Sequence, residues 1–222
     1  MKILLIAGHG AGDPGAIGTL NGKTYKEADL NREVVNAVAE KMGDYDAEVD
    51  IYDQSRNAYT DYQRGTLSGL AKFEQYDFVL EVHLNAIKED AGDGETKGVE
   101  IYALPGSQIE PNICKNIAAL GFANRGVKSN GYAVISTARR KGARAALLEV
   151  CFIDDADDLK LYLSKKDQVA EAIVKGFDLK KKVVDPNRAK VQKRFGFDSN
   201  TMKYLDGHPY PDALYKKLAT KK

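Results

Sequence analysis

Apolar and polar positions follow two rhythms along this chain. At the start, "KILLIAG" is an unbroken apolar run of strand length, the pattern of a strand buried on both faces. Beyond a glycine-rich stretch, "KEADLNREVVNAVAEKM" places Leu30, Val34, Val38 and Met42 four residues apart, on one face of an amphipathic helix. "EVDIYD" predicts a short second strand, "DYQRGTLSGLAKF" a helix, and "DFVLEVHLNA" and "KGVEIYAL" two more strands. "PNICKNIAALGFAN" predicts a helix, "ARAALLEVCFI" a strand, and "DADDLKLYLSKKDQVAEAIVKGFDL" one or two helices; the intervening "GAIGTLNGKTY" reads as loop. Strands separated by helical runs point to βαβ units, hence to an α/β fold with a mostly parallel, twisted sheet covered by helices on both faces.

The rhythm changes at "LKKKVVDPN", where a charged helix exit meets an X-Pro step that disfavours further helix. Two or three short helices are expected beyond it, one capped by Asp198 or Ser199 and one starting near Pro211. The expected organisation is a catalytic domain over residues 1–180, a linker over 181–187 and a small helical C-terminal appendage over 188–222. A segment of that length is at the lower limit of independent folding.

Composition adds a charge asymmetry. The 222 residues carry a formal net charge of only +1, which does not advertise nucleic-acid binding. From Pro186 onward, however, nine Lys and Arg face three Asp, leaving 24 basic and 29 acidic residues before it: an acidic body and a basic tail. Cys114 and Cys151 form no CxxC pair and sit among apolar residues, as buried reduced thiols do. The apolar start is too short for a secretory core and no stretch is long enough to span a membrane, so synthesis in the cytoplasm without a signal peptide is expected.

"GAGDPG", at Gly10 to Gly15, satisfies a dinucleotide fingerprint, but its glycines do not open a helix and no acidic residue ends a second strand at the expected spacing of about 20 residues. His9, just before it, ends the first strand, where open α/β sheets place their reactive sites. His83 ends another apolar strand; if the two strands are neighbours, both imidazoles reach one rim. Two histidines and a carboxylate make a common zinc set. Glu27, in the first turn of the helix after the first strand, is one carboxylate candidate, its alternative being an exposed acid favoured by the helix dipole. Glu149 is a charged residue inside an apolar strand, which requires either an ion pair with Arg140 or Arg144 or a functional use as a general base.

"GHGAGDPGA", "EADLN", "VHLNA" and "LLEVCFIDD", in this order over residues 1–179, resemble the motifs of the zinc-dependent N-acetylmuramoyl-L-alanine amidases of the amidase 3 (AmiC/CwlV-like) family. The resemblance implies that His9, Glu27 and His83 hold Zn²⁺ and that Glu149 is the catalytic glutamate. It implies bacterial peptidoglycan as substrate, cleaved at the amide between N-acetylmuramic acid and L-alanine. Glu81 departs from the small polar residue more common there, and is expected to orient a ligand or to pair with a nearby cation.

A chain of this plan without an export signal resembles a phage or prophage endolysin, made in the host cytoplasm and released to the wall by a holin. Its basic tail, with Tyr204, Tyr210 and Tyr215, is similar in plan to wall-binding modules and is expected either to hold anionic wall polymers or to form a solvated helical appendage or dimer contact. His208 reads as a loop residue. The alternatives for the whole are a zinc carboxypeptidase-like peptidase and a non-catalytic wall-binding protein.

Overall fold

The computed structural model describes residues 1–87, 92–104, 107–182 and 185–220. Along the chain run β1 (Lys2–Ala7), β2 (Ile17–Leu20), β3 (Lys23–Lys26), α1 (Glu27–Met42), β4 (Glu48–Ile51), α2 (Ala58–Gln63), α3 (Leu67–Ala71) and β5 (Phe78–Asn85). They are followed by β6 (Val99–Ala103), α4 (Ile109–Ala118), β7 (Asn124–Ser129), α5 (Ala133–Arg140), β8 (Arg144–Phe152), α6 (Ala156–Ser164) and α7 (Lys166–Gly176). The main sheet has the order β4-β1-β5-β8-β6-β7. It is parallel from β4 to β8; β6 runs antiparallel to β8, and β7 follows β6. The expected α/β architecture, mostly parallel and helix-covered, is thus observed.

The period-2 geometry of strands sorts the apolar residues into two layers. Ile3 and Leu5 of β1 pack with Val34 and Val38 of α1 and Ile173 of α7. Leu4 and Ile6 point the other way, into a layer with Leu67 of α3 and Ile135 of α5. Each such side chain contributes about 1.5–3 kcal/mol by leaving water, so an apolar run with no polar break is what a strand under two helical layers needs.

Four local features differ from the sequence expectation. The stretch read as loop forms the antiparallel hairpin β2–β3. Its turn is Asn21-Gly22, both at positive φ (+51° and +76°), the type I′ geometry that Asn-Gly adopts at little cost. The helix expected over "DYQRGTLSGLAKF" is two short helices interrupted at Gly65, whose φ is +70°. Strand β7, "NRGVKS", has no apolar run because it is an edge strand specified by its ladder with β6. Helix α5 was hidden in the short "AVISTARR", of which Val134, Ile135 and Ala138 are buried.

Residues 181–222 form a second compact unit. Helices α8 (Pro186–Phe195), α9 (Ser199–Asp206) and α10 (Pro211–Thr220) close on Val191, Met202 and Tyr215. The X-Pro step starts α8, with the Asp185 side chain accepting the Asn187 N–H and Pro186 in the first turn, so the stretch expected as linker already holds the first two residues of the helix. Asp198 caps α9 by accepting the Thr201 N–H at 2.7 Å. Residues 183–184 of the expected linker and 221–222 of the expected module lie outside the described residues. Among the described residues, no helix is long and apolar enough to cross a membrane.

Candidate metal centre

Strands β1, β5 and β8 are parallel neighbours, so their carboxyl ends deliver side chains to a single rim. Residues of equal parity share a sheet face: Glu81 and His83 on β5, and Leu147 and Glu149 on β8, project on the side covered by α5. Register sets His83 opposite Glu149 and Glu81 opposite Leu147. His9 follows β1 by two residues, and Glu27 is the first residue of α1. The N–H groups of Glu27 and Ala28 donate to the carbonyls of Ala16 and Pro14, which ties the helix start to the glycine loop.

Glu27 is the hub. Its Oε1 lies 2.8 Å from His83 Nδ1 and 3.1 Å from His9 Nε2 and accepts the Leu84 N–H at 3.2 Å; Oε2 accepts the Ala16 N–H at 2.8 Å. One potential ligand atom from each of His9, Glu27 and His83 lies within 4.8 Å of the others. Burial would raise the Glu27 pKa, yet the two imidazoles hold the carboxyl well below the usual carboxylate range. Burial likewise opposes charge on His83, but its hydrogen bond to Glu27 and the nearby Glu81 raise its pKa well above 6.5. His9 is raised by Glu27 and Asp13 against its own burial.

The far nitrogen of each ring also meets an acid. His9 Nδ1 lies 2.8 Å from Asp13 Oδ2, and Asp13 is itself held by Asn57 Nδ2 and the Gly15 N–H, both at 3.0 Å. His83 Nε2 lies 3.5 Å from Glu81 Oε1. A carboxylate behind a histidine fixes ring orientation and raises ligand basicity, the usual support of a metal-binding imidazole. Two imidazole nitrogens, each backed in this way, and one carboxylate oxygen suit zinc. Sequence reasoning does not reach Asp13 or Asn57; for Asp13 the available signal is an acid four residues after a candidate ligand, and Asn57 offers none.

Close packing fixes one glycine. A Cβ on Gly8 would lie 2.2 Å from Cε1 of His83. Gly8→Ala is therefore expected to push that ring from Glu27 and to cut metal content after dialysis at least several-fold, with the far-UV circular dichroism unchanged.

Glu149 has the opposite environment. Its Oε2 is buried and, among the described residues, has no hydrogen-bond partner. The ion pair considered from sequence is not formed among the described residues: Arg140 donates to Thr137 Oγ1, and Arg144 lies exposed at the other end of β8. Burial pushes the Glu149 carboxyl up to about 7, His83 opposing and the acids Glu27, Glu100 and Glu81 adding. Directly opposite in register, Glu100 is saturated, accepting from Asn85 (2.8 Å), Tyr102 (2.7 Å), Arg125 (2.5 Å) and Lys128 (2.5 Å). A cavity of about 290 Å³ opens at the cluster, lined among others by His9, His83, Glu149, Tyr59 and Tyr132. A donor triad beside a carboxyl poised near neutrality is an arrangement for metal-assisted hydrolysis.

The profile of the family described as N-acetylmuramoyl-L-alanine amidase (Amidase_3) matches residues 3–178. The chain belongs to this amidase family. Among individual relatives, "Probable autolysin PH" of Staphylococcus aureus (strain NCTC 8325 / PS 47) is 37% identical over 104 residues, 42% of this chain and 21% of the relative. The chain spans 21% and 65% of the lengths of two curated relatives that it matches. The N-acetylmuramoyl-L-alanine amidase from Clostridium difficile 630 superposes with a TM-score of 0.63 at 23% identity, covering 79% of this chain and 94% of that one. The catalytic domain of CwlV, an amidase from Bacillus (Paenibacillus) polymyxa var. colistinus, gives 0.61 at 24% identity, covering 80% and 96%. At these identities the likeness establishes a shared amidase fold.

Proposed function

We propose that the chain hydrolyses peptidoglycan at the amide between N-acetylmuramic acid and the L-alanine of the stem peptide. In this reading His9, Glu27 and His83 hold Zn²⁺, and Glu149 is the catalytic acid–base. One observation supports it above all: the three donors converge at a rim where the neighbouring Glu149 keeps a buried oxygen that no described residue hydrogen-bonds.

A bound zinc ion supplies Lewis acidity, polarising the scissile carbonyl and making water easier to deprotonate. The other work belongs to side chains of this chain. Glu149, with a proton affinity near neutral, takes the proton of the attacking water at its free oxygen and passes it to the departing alanine nitrogen. Asp13 and Glu81 hold the two rings in place from behind. Tyr59 and Tyr132, which line the cavity, offer aromatic surface to sugar and peptide. The test is mass spectrometry of digested peptidoglycan. Stem peptides with a free N-terminal alanine are expected; shortened stems still joined to sugar would replace this reading with a carboxypeptidase, and an undigested wall with a binding protein.

The reading extends to host-cell lysis by a phage or prophage endolysin, reaching the wall from the cytoplasm when a holin opens the membrane. Lysis on co-expression with a holin, and none without it, is the expected result. The C-terminal unit would hold anionic wall polymer: its basic residues outnumber acidic ones, and Tyr204 and Tyr210 are 84% and 72% exposed while Tyr215 is core. Tyr204→Ala with Tyr210→Ala is expected to weaken sedimentation with purified walls several-fold while leaving hydrolysis of soluble fragments unchanged.

A further inference from the structure

We propose that Arg32 is a positioning residue for His9, acting through the backbone of the glycine loop. The inference rests on the metal centre proposed above. Arg32 Nε donates to the Gln54 carbonyl at 3.1 Å; Nη1 donates to the carbonyls of Ala28 (2.7 Å) and Gly8 (3.4 Å). Nη2 donates to His9 (3.1 Å), Gln54 (2.8 Å) and Arg56 (3.4 Å). Among the described residues its acceptors are all backbone carbonyls, drawn from the end of β1, the first turn of α1 and the stretch after β4. A guanidinium is suited to this because its donors lie in one rigid plane.

Two of these acceptors bear on the metal centre. The Gly8 carbonyl belongs to the peptide plane before the His9 Cα, and the His9 carbonyl to the plane after it. Holding both planes fixes the two backbone angles of His9 and so the direction of its Cβ. Asn31 Nδ2 adds a third hand, donating to the Gly8 carbonyl at 3.2 Å. Such restraint is needed: His9 has φ +62° and Ala11 +50°, left-handed conformations that residues with a Cβ keep only when their surroundings over-determine them. The loop also makes room for the clamp, since a Cβ on Gly10 would lie 1.9 Å from Arg32 Nη2. Asp13 then orients the ring from its outer side, so backbone and ring are fixed by separate groups.

The position follows from sequence spacing. Arg32 is five residues after Glu27 on α1, so one helix supplies the acid that faces the imidazole nitrogen and the cation that grips the imidazole's own backbone. Lysine in its place would keep the charge and most of the stem but could not engage three segments in one plane.

Zinc affinity, read by competition with a chromophoric chelator at fixed pH, tests this without recourse to activity. Arg32→Lys is expected to bind zinc about 10- to 100-fold more weakly, the range seen when a group behind a ligand is lost. Arg32→Ala should be weaker still and recover part of its affinity in millimolar methylguanidinium. Val38→Ala, a core change on the same helix, should lower the melting temperature and leave zinc affinity unchanged. Wild-type affinity in Arg32→Lys, an equal loss in Val38→Ala, or failure of both Arg32 variants to fold would overturn the assignment, the last by making Arg32 a determinant of the fold. A wild-type chain that binds no zinc would instead overturn the metal centre itself.

Discussion

Glu149→Gln is expected to lower the rate of amide hydrolysis by about 10²- to 10⁴-fold, the usual worth of a positioned general acid–base, while zinc content stays at the wild-type level. Glutamine has nearly the same shape, so the cavity, the β8 ladder and the three donors on the neighbouring elements are left intact. Its stability should change in the opposite sense to its activity. The folded chain holds the Glu149 carboxyl at about 7 against an ordinary 4.5. A group raised in this way supports folding fully below pH 4.5, and that support is lost as pH climbs through 7. The gap corresponds to at most about 3 kcal/mol. Metal-free Glu149→Gln should therefore melt above the metal-free wild type at pH 8 and close to it near pH 4.5, by differential scanning calorimetry with chelator present. Undiminished hydrolysis would remove Glu149 from the mechanism; lost zinc would make it part of the metal set.

That trade between stability and chemistry explains why this glutamate could be singled out from sequence. A carboxylate amid "ARAALLEVCFI" has to be explained by a partner or by a use, and among the described residues none partners Oε2. The same criterion applies to Glu100 in "KGVEIYAL", and there it would have misled. Glu100 is more buried than Glu149, at 1% exposed, but four donors saturate it, two of them from β7, an edge strand with no apolar signature. Which of two intrastrand glutamates is satisfied depends on the neighbouring strand, and strand order is a long-range property that periodicity along one segment does not carry. The main strands were legible because burial on both faces forces apolar runs. The hairpin β2–β3 was hidden by its polar strands, although its Asn-Gly turn was in plain view. His9 and His83 were legible as residues ending strands, and Asp13 could have been from its place four residues after His9; Asn57 and Arg32 were not, because their roles arise from contacts between segments 22 to 44 residues apart.

Glu27→Ala is expected to abolish zinc binding and to destabilise the metal-free chain, two effects with separate causes. Truncation strips two imidazoles of their shared acceptor and leaves the N–H groups of Ala16 and Leu84 without the oxygens they use. Removing one partner of a buried charged set typically costs about 3–5 kcal/mol, and for a chain of this size each kcal/mol moves the melting temperature by roughly 2–4 °C. The metal effect is read on top of this. Wild type with zinc at 100 times its dissociation constant should gain about 2.7 kcal/mol by mass action and lose it again on adding chelator; Glu27→Ala should melt at the same temperature with or without zinc. Glu100→Ala is the discriminating comparison, because it also breaks a buried carboxylate network and should be comparably destabilised. Yet Glu100 faces cations and a phenol where Glu27 faces two imidazoles, so Glu100→Ala should keep the full zinc-dependent rise in melting temperature. If instead Glu27→Ala kept that rise, a buried acid at the helix start would be no more than a support for the fold, and the two histidines would have to find their third ligand elsewhere.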